Sequence, residues 1–488
     1  MLKKIWTFCT FCVMLVALTV IVGCANQSAS TVPKYNILAK LVDDTIVADQ
    51  KVQFVNNSGV ELHSLHFNLY ANAFRKDATH YSIFDGDKPQ AWVDGESFGE
   101  IQILGTSING RHVAHNIQGA DRNILAVDTN LKVRAAVEVG IKFLLTLPKL
   151  KFRLGVNNFA INLGQWYPTL AVLQDGKFLD NPYYYIGDPF VTDVADYDIQ
   201  LTTPLGYEIA SSGQYSRFVN KFDTQTFFTS AKLIREFAIV LSKHYKVVQK
   251  VVGHTTVFYN FYKDDSPQDV LIVAQKALIT FSSLFGEYPY QSLTMAQTQF
   301  LYGGMEYSGL VMLSDLLNRE KYIEAVVHEI AHQWWYGVVG NDQVQHAWMD
   351  EALAEYSTTV FFEKHPEYGI GRRSKVGKSI TALSIYSDIN SSLGANKRQL
   401  VMDKPLSQFD TIAEYVTTVY AMGNVMFDSL RDFIGDDKFF SALKDYFGNF
   451  AFLIAKPKDL VQAFDKNAHV KMQDWFASWL QGNIVLWS

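Results

Sequence analysis

The chain has 488 residues, 48% of them hydrophobic and 14% aromatic, which is enough apolar material for large cores and more than one domain. A net charge of −6 with no basic patch argues against nucleic acid as a partner. The cysteines are Cys9, Cys12 and Cys24, so nothing beyond residue 24 can form a disulfide, and any metal site there must use His and carboxylate.

Lys3 and Lys4 precede an apolar run from Ile5 to Gly23 that ends at Cys24. A charged start, an apolar middle and small residues at the end describe an export signal over 1–23, which is set aside from the fold. Ile21-Val22-Gly23-Cys24 resembles a bacterial lipobox, in which the Cys is lipidated and becomes the new first residue. The run is also just long enough to span a bilayer as an uncleaved anchor. The Cys at the junction favours the lipoprotein reading. The expectation is an extracytoplasmic body anchored to the bacterial membrane by a lipid on Cys24, with residues 24–34 as a short tether.

From 35 to 246 the pattern is β-rich. Thr45–Phe54 and Val137–Phe143 alternate over part of their length as half-buried strands do, and Asn56-Asn57-Ser58-Gly59 reads as a turn. Later strands are expected near Asp196–Thr203 and Glu236–Leu241. The predicted architecture is a twisted β-sandwich or saddle. Within it, Gln165-Trp166-Tyr167-Pro168 and Tyr183-Tyr184-Tyr185 lie in a loop-rich context. Such aromatics either line a binding cleft or pack on the neighbouring domain.

From 247 to 488 the pattern is mostly helical, which makes the fold class α+β. A strand at Thr255–Phe261 leads into a helix from about Pro267 to Leu284, stopped near Gly286. The paired glycines of Gly303-Gly304-Met305-Glu306 suggest an extended edge where another backbone approaches closely. Helices are expected at roughly 319–336, from Trp348, and near 371–387, 412–433, 436–447, 457–466 and 471–481.

The helix over 319–336 holds His328-Glu329-Ile330-Ala331-His332, the pattern H-E-x-x-H. Two His four positions apart on a helix lie one above the other and can reach one ion, with Glu329 beside them as a general base. A catalytic zinc takes three protein ligands and keeps one position open. Gly337, Gly340, Asn341 and Asp342 read as a helix stop and turn, after which Glu351 is placed to be the third ligand. One zinc ion per chain, on His328, His332 and Glu351, is the expected cofactor. Glu355, one turn later, is either a partner for the far nitrogen of a ligating His or part of a solvated face.

These motifs, with Trp348-Met349-Asp350-Glu351 and Tyr420-Ala421-Met422-Gly423, resemble the aminopeptidase N-type family of gluzincins over about residues 35–480. The resemblance implies a β-rich domain followed by a thermolysin-like zinc peptidase domain. It implies that Glu329 is the general base, that Glu306 binds the free α-amine of a peptide, and that Tyr420 donates to the developing oxyanion. Gly303, Gly304 and Met305 would belong to the substrate-binding edge. The sequence departs from the family at Tyr307, where Asn is usual, and at Met422, where Lys is usual. Many members continue into a large helical domain that closes the site, whereas this sequence ends at Ser488, so a cleft open to larger peptides is expected. The leading reading is a membrane-tethered zinc aminopeptidase. Its alternatives are a zinc endopeptidase on the same scaffold and a non-catalytic peptide-binding lipoprotein.

Overall fold

The computed structural model describes residues 32–392 and 399–484. The expected export signal, Cys24 and most of the expected tether lie outside the described residues. Among the described residues no helix is long and apolar enough to cross a membrane.

The β-rich half is organised around the hairpin of Lys34–Val42 and Thr45–Val55. In the first of these strands burial alternates at every residue, with Tyr35, Ile37, Ala39 and Leu41 turned inward and the intervening residues in solvent. That is the pattern of a sheet with one wet face. Ala195–Pro204 pairs with it in parallel, Ala136–Thr146 pairs with the second strand in antiparallel register, and the sheet grows to eight strands. Two four-stranded sheets share its inner core, so the observed form is a multi-sheet sandwich. The strand expected from Glu236 begins at Ile239, because Arg235 and Glu236 are committed to buried polar contacts ahead of it.

Arg235 fastens this half to the helical one. Its guanidinium donates to the carbonyls of Tyr336 (2.6 Å), Thr192 (2.8 Å), Val338 (3.1 Å) and Leu453 (2.8 Å). A buried cation is tolerated only when its donors are filled in this way.

The helical half opens with a five-stranded sheet that runs from Lys246–Val252 through Thr255–Phe261, Ser292–Thr298 and Leu310–Ser314 to Gly304–Met305. Gly304 and Met305 therefore form the expected edge, paired antiparallel to Leu313 and Met312. The helix Pro267–Phe285 starts with Pro in its first turn and ends at Gly286 with φ 138°. Its Phe281 and Phe285 pack on Trp334 and Trp335, which puts both tryptophans in the core. The helix expected over 412–433 is broken into Ile412–Tyr415, a π-helical stretch Val416–Met422, and Gly423–Ile434.

Candidate metal centre and active site

The helix Arg319–Ala331 begins where Asn318 accepts a hydrogen bond from Lys321 N, and it stops short of the expected residue 336. His332 is its cap, and the chain turns through bonds from Gly337 N to His332 O and from Val338 N to Gln333 O. Side chains at this turn are committed to partners. The Gln333 side chain is drawn away to hold the 306–309 backbone, accepting from Gly309 N at 2.8 Å and donating to Tyr307 O at 3.2 Å. The turn in exchange points Trp335 O at His332 Nδ1, 3.1 Å away.

With Nδ1 committed, His332 presents Nε2 as its free lone pair. His328 is held in the same sense, since its Nδ1 lies 3.3 Å from Glu355 Oε2. Glu351 enters from the facing helix Trp348–Lys364. The donor atoms His328 Nε2, His332 Nε2 and Glu351 Oε2 stand 3.1 to 3.3 Å from one another. Tetrahedral ligands at about 2.0–2.1 Å from zinc lie about 3.3 Å apart. The donor set and its spacing fit one zinc ion. The electrostatics agree: burial lowers the basicity of His328, yet hydrogen bonds from its ring to Glu351 and Glu355 outweigh this and raise the group to about 9. Burial alone would raise Glu351, but His332 and His328 hold it well below the ordinary carboxylate range. A site that stabilises positive charge this strongly favours a cation.

Glu329 lies beside this cluster without joining it, on the wall of a cavity of about 520 Å³. Burial, only partly offset by His328 and His332, pushes it up to about 7. Its carboxylate sits against the glycine edge. A Cβ on Gly304 would lie 2.4 Å from Glu329 Oε1, so the close approach expected of this edge is made by a side chain. Gly303 also lines the cavity. Met305 does not, because its side chain points into the β-rich core and anchors the edge from behind.

Tyr420 comes from the π-helical stretch and stacks its ring on His328, with centroids 5.7 Å apart and planes 20° from parallel. A π-turn carries an extra residue and so rotates the next part of the helix, a device common at functional sites. Tyr415 stands edge-on to Tyr420 and also lines the cavity. Met422 is buried in the helical core, a position where a lysine would need a partner.

Glu306 is fully enclosed, with Oε1 accepting from Gln343 Nε2 at 3.2 Å. Gln343 also donates to Asp350 Oδ2 at 2.7 Å, so one amide spaces two carboxylates. Burial, followed by the charge of Asp188, raises Glu306 well above the usual carboxylate range. The departure at Tyr307 has a structural answer. Its hydroxyl donates to Gln165 Oε1 at 2.7 Å and occupies the space that a side chain on Gly164 would need.

Sequence reasoning missed Asp188. It comes from the β-rich half and brings an oxygen within 4.8 Å of both Glu306 and Glu351, paired on its other side with Arg153 at 2.8 Å. The aromatic loop before it gave the only signal. Tyr185 does line the cavity, whereas Trp166, Tyr167 and Tyr183 are core.

Residues 271–479, which contain every zinc-ligand candidate, match the family model described as the peptidase family M1 domain. The helical half is thus similar to a peptidase family M1 domain. Proteins similar to this chain include aminopeptidase M1-B of Oryza sativa subsp. japonica, 26% identical over 256 residues, and aminopeptidase N of Lactobacillus helveticus, 27% identical over 227. The matches cover 48% and 43% of this chain, but they span about a quarter of each relative, 27% and 26%. Beyond residues 271–479, the whole fold resembles the M1 zinc metallopeptidase of Deinococcus radiodurans (TM-score 0.63, 15% identity, covering 93% of this chain and 95% of that one). A mutant of that protein bound to a Tyr-Ser-Ala substrate gives a TM-score of 0.65 at 14% identity, with the same coverage.

Proposed function

We propose that the chain is a zinc aminopeptidase that removes N-terminal residues from peptides. The observation that carries this reading is the convergence of Asp188 and Glu306 within 4.8 Å of Glu351, a member of the zinc-ligand cluster. An α-ammonium has three N–H donors, and Asp188 and Glu306, which are outside the zinc-ligand set, place two carboxylates beside the ion to accept from it. Anchoring the amine there sets the first peptide bond, and no later one, against Glu329 and Tyr420.

His328, His332 and Glu351 would hold the zinc, which supplies a Lewis acid that polarises the scissile carbonyl and acidifies water. Glu329 takes the proton of the attacking water on its carboxylate and passes it to the departing amine nitrogen. Tyr420 keeps its hydroxyl proton, because burial and then the charge of Glu351 raise it well above 10, and it donates that hydrogen to the forming oxyanion.

The test compares free-amine peptides with their N-acetylated forms, with and without a chelator. Free-amine peptides are expected to be preferred by about ten- to a hundredfold, the worth of a charge-assisted hydrogen bond, and Glu306→Ala is expected to erase most of that preference. Internal cleavage of acetylated peptides at the rate of free-amine trimming would establish an endopeptidase instead.

We also propose that the protein is lipid-anchored outside the cytoplasmic membrane through Cys24, a reading supported by the apolar run and the lipobox-like Ile21-Val22-Gly23-Cys24. In a bacterial host fed a fatty-acid probe, the full chain takes up label and a Cys24→Ala version does not. Equal labelling of the two rejects the anchor.

A further inference from the structure

The contacts that orient His328 do not end at Glu355. Glu355 Oε2 faces His328 Nδ1 at 3.3 Å, while its other oxygen, Oε1, accepts from Lys375 Nζ at 2.9 Å. Lys375 stands on the helix Arg372–Ser392 and is only 7% exposed. A lysine is rarely buried to that extent unless it is paired, and its second carboxylate, Glu324 Oε2, is 4.0 Å away.

Its helix is fastened to the one that bears Glu351 and Glu355. Asn424 donates to Ser379 Oγ at 2.9 Å and accepts from Thr359 Oγ1 at 2.8 Å, which ties the two helices through a third. Arg372 adds a bond to Asp428 at 2.5 Å. On this fastened helix the ammonium of Lys375 is held by its burial between Glu355 and Glu324. The carboxylate of Glu355, which has three rotatable bonds of its own, is held between that ammonium and the imidazole.

We propose that Lys375 is a positioning residue of the metal centre. It fixes Glu355, and Glu355 in turn fixes the His328 ring with Nε2 aimed at the ion. The inference rests on the zinc reading of His328, His332 and Glu351. A partner to the far nitrogen of a ligating His typically changes metal affinity by about 10–100-fold. Lys375 inherits that leverage only if it acts through Glu355. It also lines the cavity, so the competing role is direct contact with substrate.

The experiment measures zinc affinity and zinc release on the full chain by competition with a chromophoric chelator, alongside kcat and KM. Lys375→Met and Glu355→Gln are each expected to weaken zinc binding by about 10–100-fold, and Lys375→Arg to restore most of the loss. The double variant should be no weaker than the weaker single one, since the two residues form one chain of contacts. Losses that multiply in the double variant overturn the proposal. So does a Lys375→Met protein that holds zinc like the parent and changes KM alone. If Lys375→Met does not fold, Glu355→Gln carries the test, because it keeps its size and leaves Lys375 beside Glu324; unchanged affinity there overturns the proposal too. A parent chain that takes up no zinc is a different result, and it removes the reading of the site itself.

Discussion

Glu329→Gln is expected to leave one zinc per chain and to lower kcat by about 10²–10⁴, the usual contribution of a positioned general base. The metal survives because Glu329 is outside the triad of His328, His332 and Glu351, whose donor atoms already stand within 3.3 Å of one another. Glutamine has the same shape, so it fits the space beside Gly304 that a Cβ there would have taken from Glu329 Oε1. It cannot accept a proton at neutral pH. Metal content by elemental analysis and single-turnover rates on an aminoacyl reporter decide the matter together. A metal-free variant would place Glu329 among the ligands, and a fully active one would move the base elsewhere.

Tyr420→Phe is expected to lower kcat by about 10²–10³, or about 2.7–4 kcal/mol, with KM little changed. Only the hydroxyl is lost. The ring keeps its stacking on His328 and its edge contact with Tyr415, so the π-helical stretch has no reason to rearrange. The oxyanion exists only along the reaction path, so a donor to it is worth little to the bound substrate. Parallel measurement of zinc affinity controls for the His328 contact. A loss confined to KM would show that Tyr420 binds substrate and leaves the oxyanion to another donor.

Gly303 and Gly304 show how far local pattern reached. Paired glycines announced a backbone under close approach, and the edge strand is where they were expected. What comes close is the Glu329 carboxylate, and no run of neighbouring residues encodes that. The helix from Arg319 makes the same point. Its periodicity continues to residue 336, but the helix ends at Ala331. There the backbone widens into bonds five residues apart, from Gly337 N to His332 O and from Val338 N to Gln333 O, while the Gln333 side chain bridges to the 306–309 backbone. The π-helical stretch at Val416–Met422 was invisible for a related reason. Its β-branched residues weaken the helix without specifying a π-turn, and Tyr420, which stacks on His328, is placed by packing between separate segments.

Whatever depends on spacing within one helix or one turn was legible in the residues alone. Two imidazoles four positions apart share a face, a carboxylate between them lies beside that face, and a stop followed by a new helix returns Glu351. Those relations hold wherever the helices sit. Other features exist only in the packed chain: the convergence of Asp188, Glu306 and Glu351, the pairing of Arg153 with Asp188, the bond from Tyr307 to Gln165 and the reach of Lys375 to Glu355. Each joins side chains from separate segments, and the first and third cross between the β-rich and helical halves. Their distances depend on sheet register and on how Arg235 draws the two halves together, and these are collective properties that no local stretch of residues contains.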